Sequence, residues 1–149
     1  MSEIAPLRPA VARSVEDDFI AGFTAGWNAP TPERLVALLH EDIVLHQPNK
    51  PPIRGRAAAL ADFRRLFTFL PGLRGDIDRA CGANGVVFIE WRMQFPIGRR
   101  GVELAAVDRF LLRDGLAIER VVYFDQLPLI AAVLSHPRLW PGFVRYRLG

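Results

Sequence analysis

The sequence predicts an α+β fold, with helices first and an antiparallel sheet after them. Three observations predict it. Apolar residues recur at helical spacing as far as Leu70, then alternate with polar ones from Leu73 to Asp125. Two turn signals, Asn84-Gly85 and Arg113-Asp114-Gly115, cut the alternating stretch, as hairpin connections do. One alternating run, VVFIEWRMQF (Val86–Phe95), carries a polar row inside apolar surroundings: Glu90, Arg92 and Gln94. Helices followed by a meander of strands is the pattern of an α+β domain.

Ser14 opens the first helix. Ser14 and Asp17 have the spacing of a capping box, and the acids Glu16, Asp17 and Asp18 suit the positive end of the helix dipole. Val15, Phe19, Ile20, Phe23 and Trp27 recur at helical spacing, and Asn28-Ala29-Pro30 ends the run. Thr31 caps a second helix, TPERLVALLH, with Pro32 in its first turn. Asp42–His46 reads as a short strand. QPNKPPIRGR is a Pro-rich loop that can be neither helix nor central strand. AAALADFRRLFTFL is a third amphipathic helix, stopped by Pro71-Gly72. LRGDIDRACG and VVFIEWRMQF form two strands around Ala83-Asn84-Gly85, and Pro96–Gly101 is the next turn. LAAVDRFLLR and LAIERVVYFD are two longer strands. The tail PLIAAVLSHPRLWPGFVRYRLG reads as a short helix followed by an irregular Pro-rich end. A curved sheet wrapped around three helices leaves a conical space, the natural place for a small-molecule pocket.

Composition narrows the function. The chain has 149 residues, enough for one domain with a full core. We expect an N-terminal arm over residues 1–13 and a single domain over 14–149. The N-terminal stretch has no apolar h-region and is not expected to be a secretory signal. No apolar run approaches the ~20 residues that span a membrane. Cys81 is the one cysteine, so no internal disulfide forms, and a reducing cytoplasm is expected. The net charge is +3, but the arginines are dispersed rather than gathered on a stripe, which argues against nucleic-acid binding. His40, His46 and His136 share no metal-ligand spacing with acids, so neither a metal nor another cofactor is expected. No Ser, Thr or Cys has a base at a triad-like spacing. His40 falls at the end of the second helix, where the dipole favours a cation.

The polar row poses the central question. Strand side chains alternate faces, so Glu90, Arg92 and Gln94 point one way, and Ile89, Trp91, Met93 and Phe95 the other. Asp108 and Asp125 also lie in apolar runs. Each such group either faces water or is buried and paired, because burying a charge alone is costly.

Several pieces together resemble the NTF2-like superfold, and within it the SnoaL-like group of ketosteroid isomerases, limonene epoxide hydrolase and polyketide cyclases. They are AGW in the first helix, LVALLHEDIVLHQP, PPIRGR, VVFIEWR and VDRFLLRDGLAIERVVYFDQ. The resemblance implies a cone of three N-terminal helices against a strongly curved, mostly antiparallel sheet. At the position of the isomerases' general base it places Gln47, and at their oxyanion-hole tyrosine Phe19. Asp108 matches their second acid. With base and phenol both replaced, isomerase chemistry of that kind is not implied. Against the epoxide hydrolase, Arg92 and Asp125 match two members of an Asp–Arg–Asp set. Gln94 replaces the third, Gln47 stands for its asparagine and Leu45 for its tyrosine.

The resemblance also puts Glu90, Arg92 and Gln94 on the concave side. Trp91, Met93 and Phe95 then form a convex apolar face, which a second copy of the chain would cover as a homodimer. The site expected is Asp125 as acid–base, Arg92 as its orienting partner and Asp108 as a second acid. Gln47, Gln94 and Glu90 would supply polar contacts, and Phe19 and Trp27 apolar lining for a small, largely apolar molecule. Two functions stay open. One is cofactor-free isomerisation, cyclisation or epoxide-type hydrolysis. The other is a non-catalytic ligand-binding or dimeric assembly domain in which Arg92–Asp125 is a structural ion pair.

Overall fold

In the computed structural model, which describes residues 12–149, Ser14 caps the first helix as its spacing predicts. Ser14 Oγ accepts from the Asp17 amide at 3.1 Å, and the Asp17 carboxylate accepts from the Ser14 amide at 3.3 Å. Helix α1 (Val15–Asn28) buries Phe19, Phe23 and Trp27 on one face. Nearly all of the expected arm over residues 1–13 lies outside the described residues.

Helix α2 (Pro32–Val36) is shorter than predicted. Leu39, expected in the helix, instead begins strand β1 (Leu39–His46), because the last strand of the sheet pairs with it. His40 therefore sits in a strand, where its Nδ1 accepts from the Asp42 amide at 3.1 Å, and not at a helix end. The Pro-rich loop contains a two-residue edge strand, β2 (Ile53–Arg54), immediately after Pro51-Pro52. Proline is tolerated there because an edge needs fewer ladder donors. Helix α3 (Arg56–Phe69) follows Gly55, whose φ of 88° suits glycine.

Strands β3 (Arg74–Ala83), β4 (Val86–Phe95), β5 (Val102–Arg113) and β6 (Leu116–Phe124) form the predicted meander. Asn84-Gly85 and Asp114-Gly115 both have positive φ, as tight hairpins of right-handed twist require. The strand order is β2-β1-β6-β5-β4-β3, and β1–β6 is the parallel pair. Register shifts interrupt β1/β6, β3/β4 and β5/β6; such irregularities bend a sheet. The tail departs from expectation. It forms α4 (Leu127–Leu134), a 3-10 turn (Pro137–Leu139) and α5 (Trp140–Leu148). Pro137 and Pro141 fall in first turns, where a missing N–H costs nothing.

The core reverses the expected facing of β4. Trp91, Met93 and Phe95 are 1%, 7% and 5% exposed and point at the helices. Trp91 packs edge-on against Phe23 and lies 4.7 Å, centroid to centroid, from Trp27. Glu90, Arg92 and Gln94 point outward. There they meet polar neighbours on the flanking strands: Arg79 for Glu90, Asp78 and Glu103 for Arg92, and Asp76 for Gln94. Charge goes where partners and water are available, and the aromatic row goes to the aromatic helices. Trp91, Met93 and Phe95 are therefore interior and cannot form the dimer face expected of them.

Candidate functional site

The inner face of the sheet and the helices enclose a cavity of about 190 Å³. Its floor is Trp91, Met93 and Phe95 of β4 with Val122 and Phe124 of β6. Trp27 of α1 and Phe63 and Leu66 of α3 make one wall, and Leu129, Ile130 and Phe143 of the terminal helices close the other. The polar lining is Gln47, Asn49, Lys50, Arg120, Gln126, Tyr146 and Arg147. A mostly apolar pocket with a few converging polar groups is the usual form of a small-molecule site.

Two carboxylates support this lining from behind. Asp62, in α3, is only 1% exposed. Its Oδ1 accepts from Lys50 Nζ at 2.6 Å and lies 3.5 Å from Arg65, and its Oδ2 accepts from Gln47 at 3.4 Å. Lys50 Nζ also lies 4.2 Å from the centre of the Tyr146 ring, within cation–π range. Burial pushes the Tyr146 phenol well above its ordinary value, and the nearby Asp62 charge adds to the shift. The phenol therefore stays protonated and is available as a donor.

The second carboxylate, Asp108, is fully buried on the inner face of β5. Its Oδ1 accepts from the Trp91 indole at 3.1 Å and its Oδ2 from Arg120 Nε at 2.6 Å. Burial raises the Asp108 carboxyl above its usual range, and the Arg120 charge and the two hydrogen bonds draw it back in part. Asp108 thus holds the Arg120 guanidinium and the Trp91 ring at the cavity wall. Arg109, a partner that chain order suggests, instead bonds Glu119.

The residues expected to form the site divide into two groups. Gln47 and Trp27 line the cavity, and Asp108 lies just behind it. Phe19 is core, edge-on to Phe110 at 4.9 Å, and lines only a small side cleft. Glu90, Arg92 and Gln94 lie on the outer face of the sheet. Asp125 is exposed and accepts from the Leu127 amide at 2.9 Å, at the start of α4. Arg92 and Asp125 are not brought together, because the guanidinium is committed to Asp78 and Glu103. Lys50, Asp62, Arg120, Tyr146 and Arg147 were not anticipated. Asp62 had a signal, since it falls on the apolar stripe of α3 with Ala59, Phe63 and Leu66. Arg120 had one too, in step with Val122 and Phe124 on β6. Lys50, in a proline loop, had none.

A family model described as the SnoaL-like domain matches residues 20–120. No curated protein matches the chain. Solved structures do. TerC, co-crystallised with polyporic acid, is 20% identical with a TM-score of 0.72, over 82% of this chain and 100% of that one. An NTF2-like protein of unknown function from Burkholderia pseudomallei is 15% identical with a TM-score of 0.72, over 81% and 98%. An LEH-like epoxide hydrolase of M. tuberculosis is 21% identical with a TM-score of 0.67, over 81% and 90%. At these identities the likeness is one of fold, and the architecture is the NTF2-like one: helices packed on an open mixed sheet of six strands.

Proposed function

The chain belongs to the SnoaL-like domain family, and we propose that its cavity holds a small, largely apolar carbonyl compound for cofactor-free acid–base chemistry. The observation that carries this reading is the placement of Lys50 and Arg120 in an aromatic cavity, each fixed from behind by a buried carboxylate. Donors held rigidly in a dry site stabilise negative charge developing on a substrate oxygen. Lys50 and Arg120 take that role, and Gln47 and the Tyr146 phenol orient the substrate. Asp62 and Asp108 position the two cations. The reaction classes that fit are enolisation, isomerisation and ring closure next to a carbonyl, in which water takes the α-proton while Lys50 and Arg120 hold the enolate oxygen. Two solved structures of this fold, one crystallised with polyporic acid and one described as an epoxide hydrolase, support small organic molecules as its ligands.

A second reading has its own observation. Among the described residues no carboxylate lines the cavity, so none of them offers a strong general base in direct contact with its contents. On that reading the chain binds its ligand without transforming it. Exchange of the α-protons of 2-tetralone for deuterium, followed by NMR, separates the two. The catalytic reading expects acceleration over buffer of at least ~100-fold, the scale of a positioned oxyanion donor, and its loss in Lys50→Met. Binding of 2-tetralone without faster exchange would leave the binding reading standing alone.

A further inference from the structure

We infer that the cavity is built for an apolar molecule bearing an ionised oxygen head group, a carboxylate or a phenolate. This deepens the reading above and rests on its premise that the cavity is a ligand site.

Among the described residues, the charged side chains lining the cavity are Lys50, Arg120 and Arg147, with no carboxylate. The two carboxylates behind the wall are already occupied. Both oxygens of Asp62 and both of Asp108 accept hydrogen bonds from the protein. Three cations line the cavity, and two of them, Lys50 and Arg120, are paired with these acids. The excess cation is Arg147, half-buried, on the helix that also brings Phe143 to the cavity.

The hydrogen-bond inventory points the same way. An ammonium has three donors and a guanidinium five. Among the described residues, Lys50 places one donor, on Asp62, and Arg120 places its Nε on Asp108. The terminal nitrogens of Arg120 and the Tyr146 hydroxyl have no protein acceptor there. Donors outnumber acceptors around the cavity, so its ligand must bring acceptors. A neutral carbonyl brings one oxygen. An oxyanion brings charge as well, and a carboxylate offers two oxygens to the cavity's cations, Arg147 among them. Lys50 and Arg120 are only 11% and 12% exposed, so their unused donors are poorly hydrated, and an oxyanion satisfies them with charge where a neutral isostere does not. The aromatic walls take the body of the same molecule.

Titration calorimetry of the full chain at neutral pH and low salt tests this with 2-naphthoate and 2-naphthamide, which share a body and differ in head-group charge. We expect naphthoate to bind at least ~10-fold more tightly, since hydrogen bonds to charged groups are about twice as strong as neutral ones. Arg147→Gln, at a side chain that also donates to the Asn49 carbonyl, should weaken naphthoate and leave naphthamide unchanged. Equal or tighter binding of the amide would overturn the oxyanion while leaving the cavity reading intact. Failure of both probes to bind at millimolar concentration would overturn both. Arg147→Gln weakening the two probes alike would also count against an ionic head group.

Discussion

Lys50 Nζ lies 2.6 Å from Asp62 Oδ1, and the Asp62 side chain is 1% exposed. Lys50 is the only lysine of the chain. The bond fastens the proline loop after β1 to helix α3, and with them two sides of the cavity. Removing one partner leaves a charge where water cannot reach it. Lys50→Met should therefore cost about 3 kcal/mol, the usual scale for breaking a buried pair. The double change Lys50→Met/Asp62→Leu should recover most of the loss, because a buried ion pair replaced whole by apolar groups is often neutral. Urea denaturation measures both, and an unchanged midpoint in the single variant would refute the coupling.

Asp108 makes stability depend on pH in a stated direction. Its folded pKa is raised by burial, so the folded chain keeps this proton to higher pH than the unfolded chain does. The stability it contributes is full below the unfolded value and declines as pH rises through the folded one. Asp108→Asn retains an acceptor for Trp91 or Arg120 and does not titrate. The stability of wild type relative to this variant should fall as pH rises above about 4, near the unfolded carboxyl. A difference that rises over the same interval would mean that the Arg120 charge outweighs burial.

Gly75 lets β3 pass beside the floor of the cavity. A Cβ there would come within 2.7 Å of the Trp91 ring and 3.0 Å of Trp27. Both rings line the cavity, and Trp91 is pinned through its indole to Asp108. Gly75→Ala should destabilise by about 1–3 kcal/mol, as overpacking does, and should weaken binding of any cavity ligand. A thermal melt and a naphthoate titration on the same sample check both effects. A variant that melts and binds like wild type would show that the rings move aside freely.

Arg92 and Asp125 serve as the contrast. Arg92→Ala removes outer-face ion pairs with Asp78 and Glu103, and Asp125→Ala removes an acceptor at the start of α4. Neither should alter affinity for a cavity ligand. Asp125→Ala should cost at most about 1 kcal/mol, as losing one exposed hydrogen bond does. A tenfold loss of naphthoate binding in either variant would return that residue to the site.

Local chemistry made much of the fold legible. The capping box at Ser14, Thr31 before Pro32, and the Asn84-Gly85 and Asp114-Gly115 turns all act through neighbours in sequence, and all appear as read. The alternation of β4 was legible as well, but not which face is inside. Resemblance put Arg92 inward, whereas the simpler rule of aromatic in and charge out puts Trp91 there. What decides is the flanking strands: Asp76 and Asp78 on β3 and Glu103 on β5 supply partners on the outer face. Pairing of that kind is set across strands, beyond the reach of a local pattern. The same holds for Lys50, whose role exists only because α3 carries Asp62 past it, and for Tyr146, whose helix had no clear period.

The parallel pairing of β1 with β6 also fixes the order in which the molecule can be built. β1 emerges early from the ribosome, yet β2, its other neighbour, offers two residues. Its open edge must wait until Leu116–Phe124 have been made. Long-range closures of this sort are slow and leave apolar surface uncovered meanwhile. The terminal helices arrive later still, and they bring Phe143 and Tyr146 to the cavity whose floor holds Met93 and Phe95. A nascent chain that stops after β6 would thus possess every strand of its sheet and still present an aromatic floor to solvent, so truncation of the tail would surface first as aggregation and chaperone dependence.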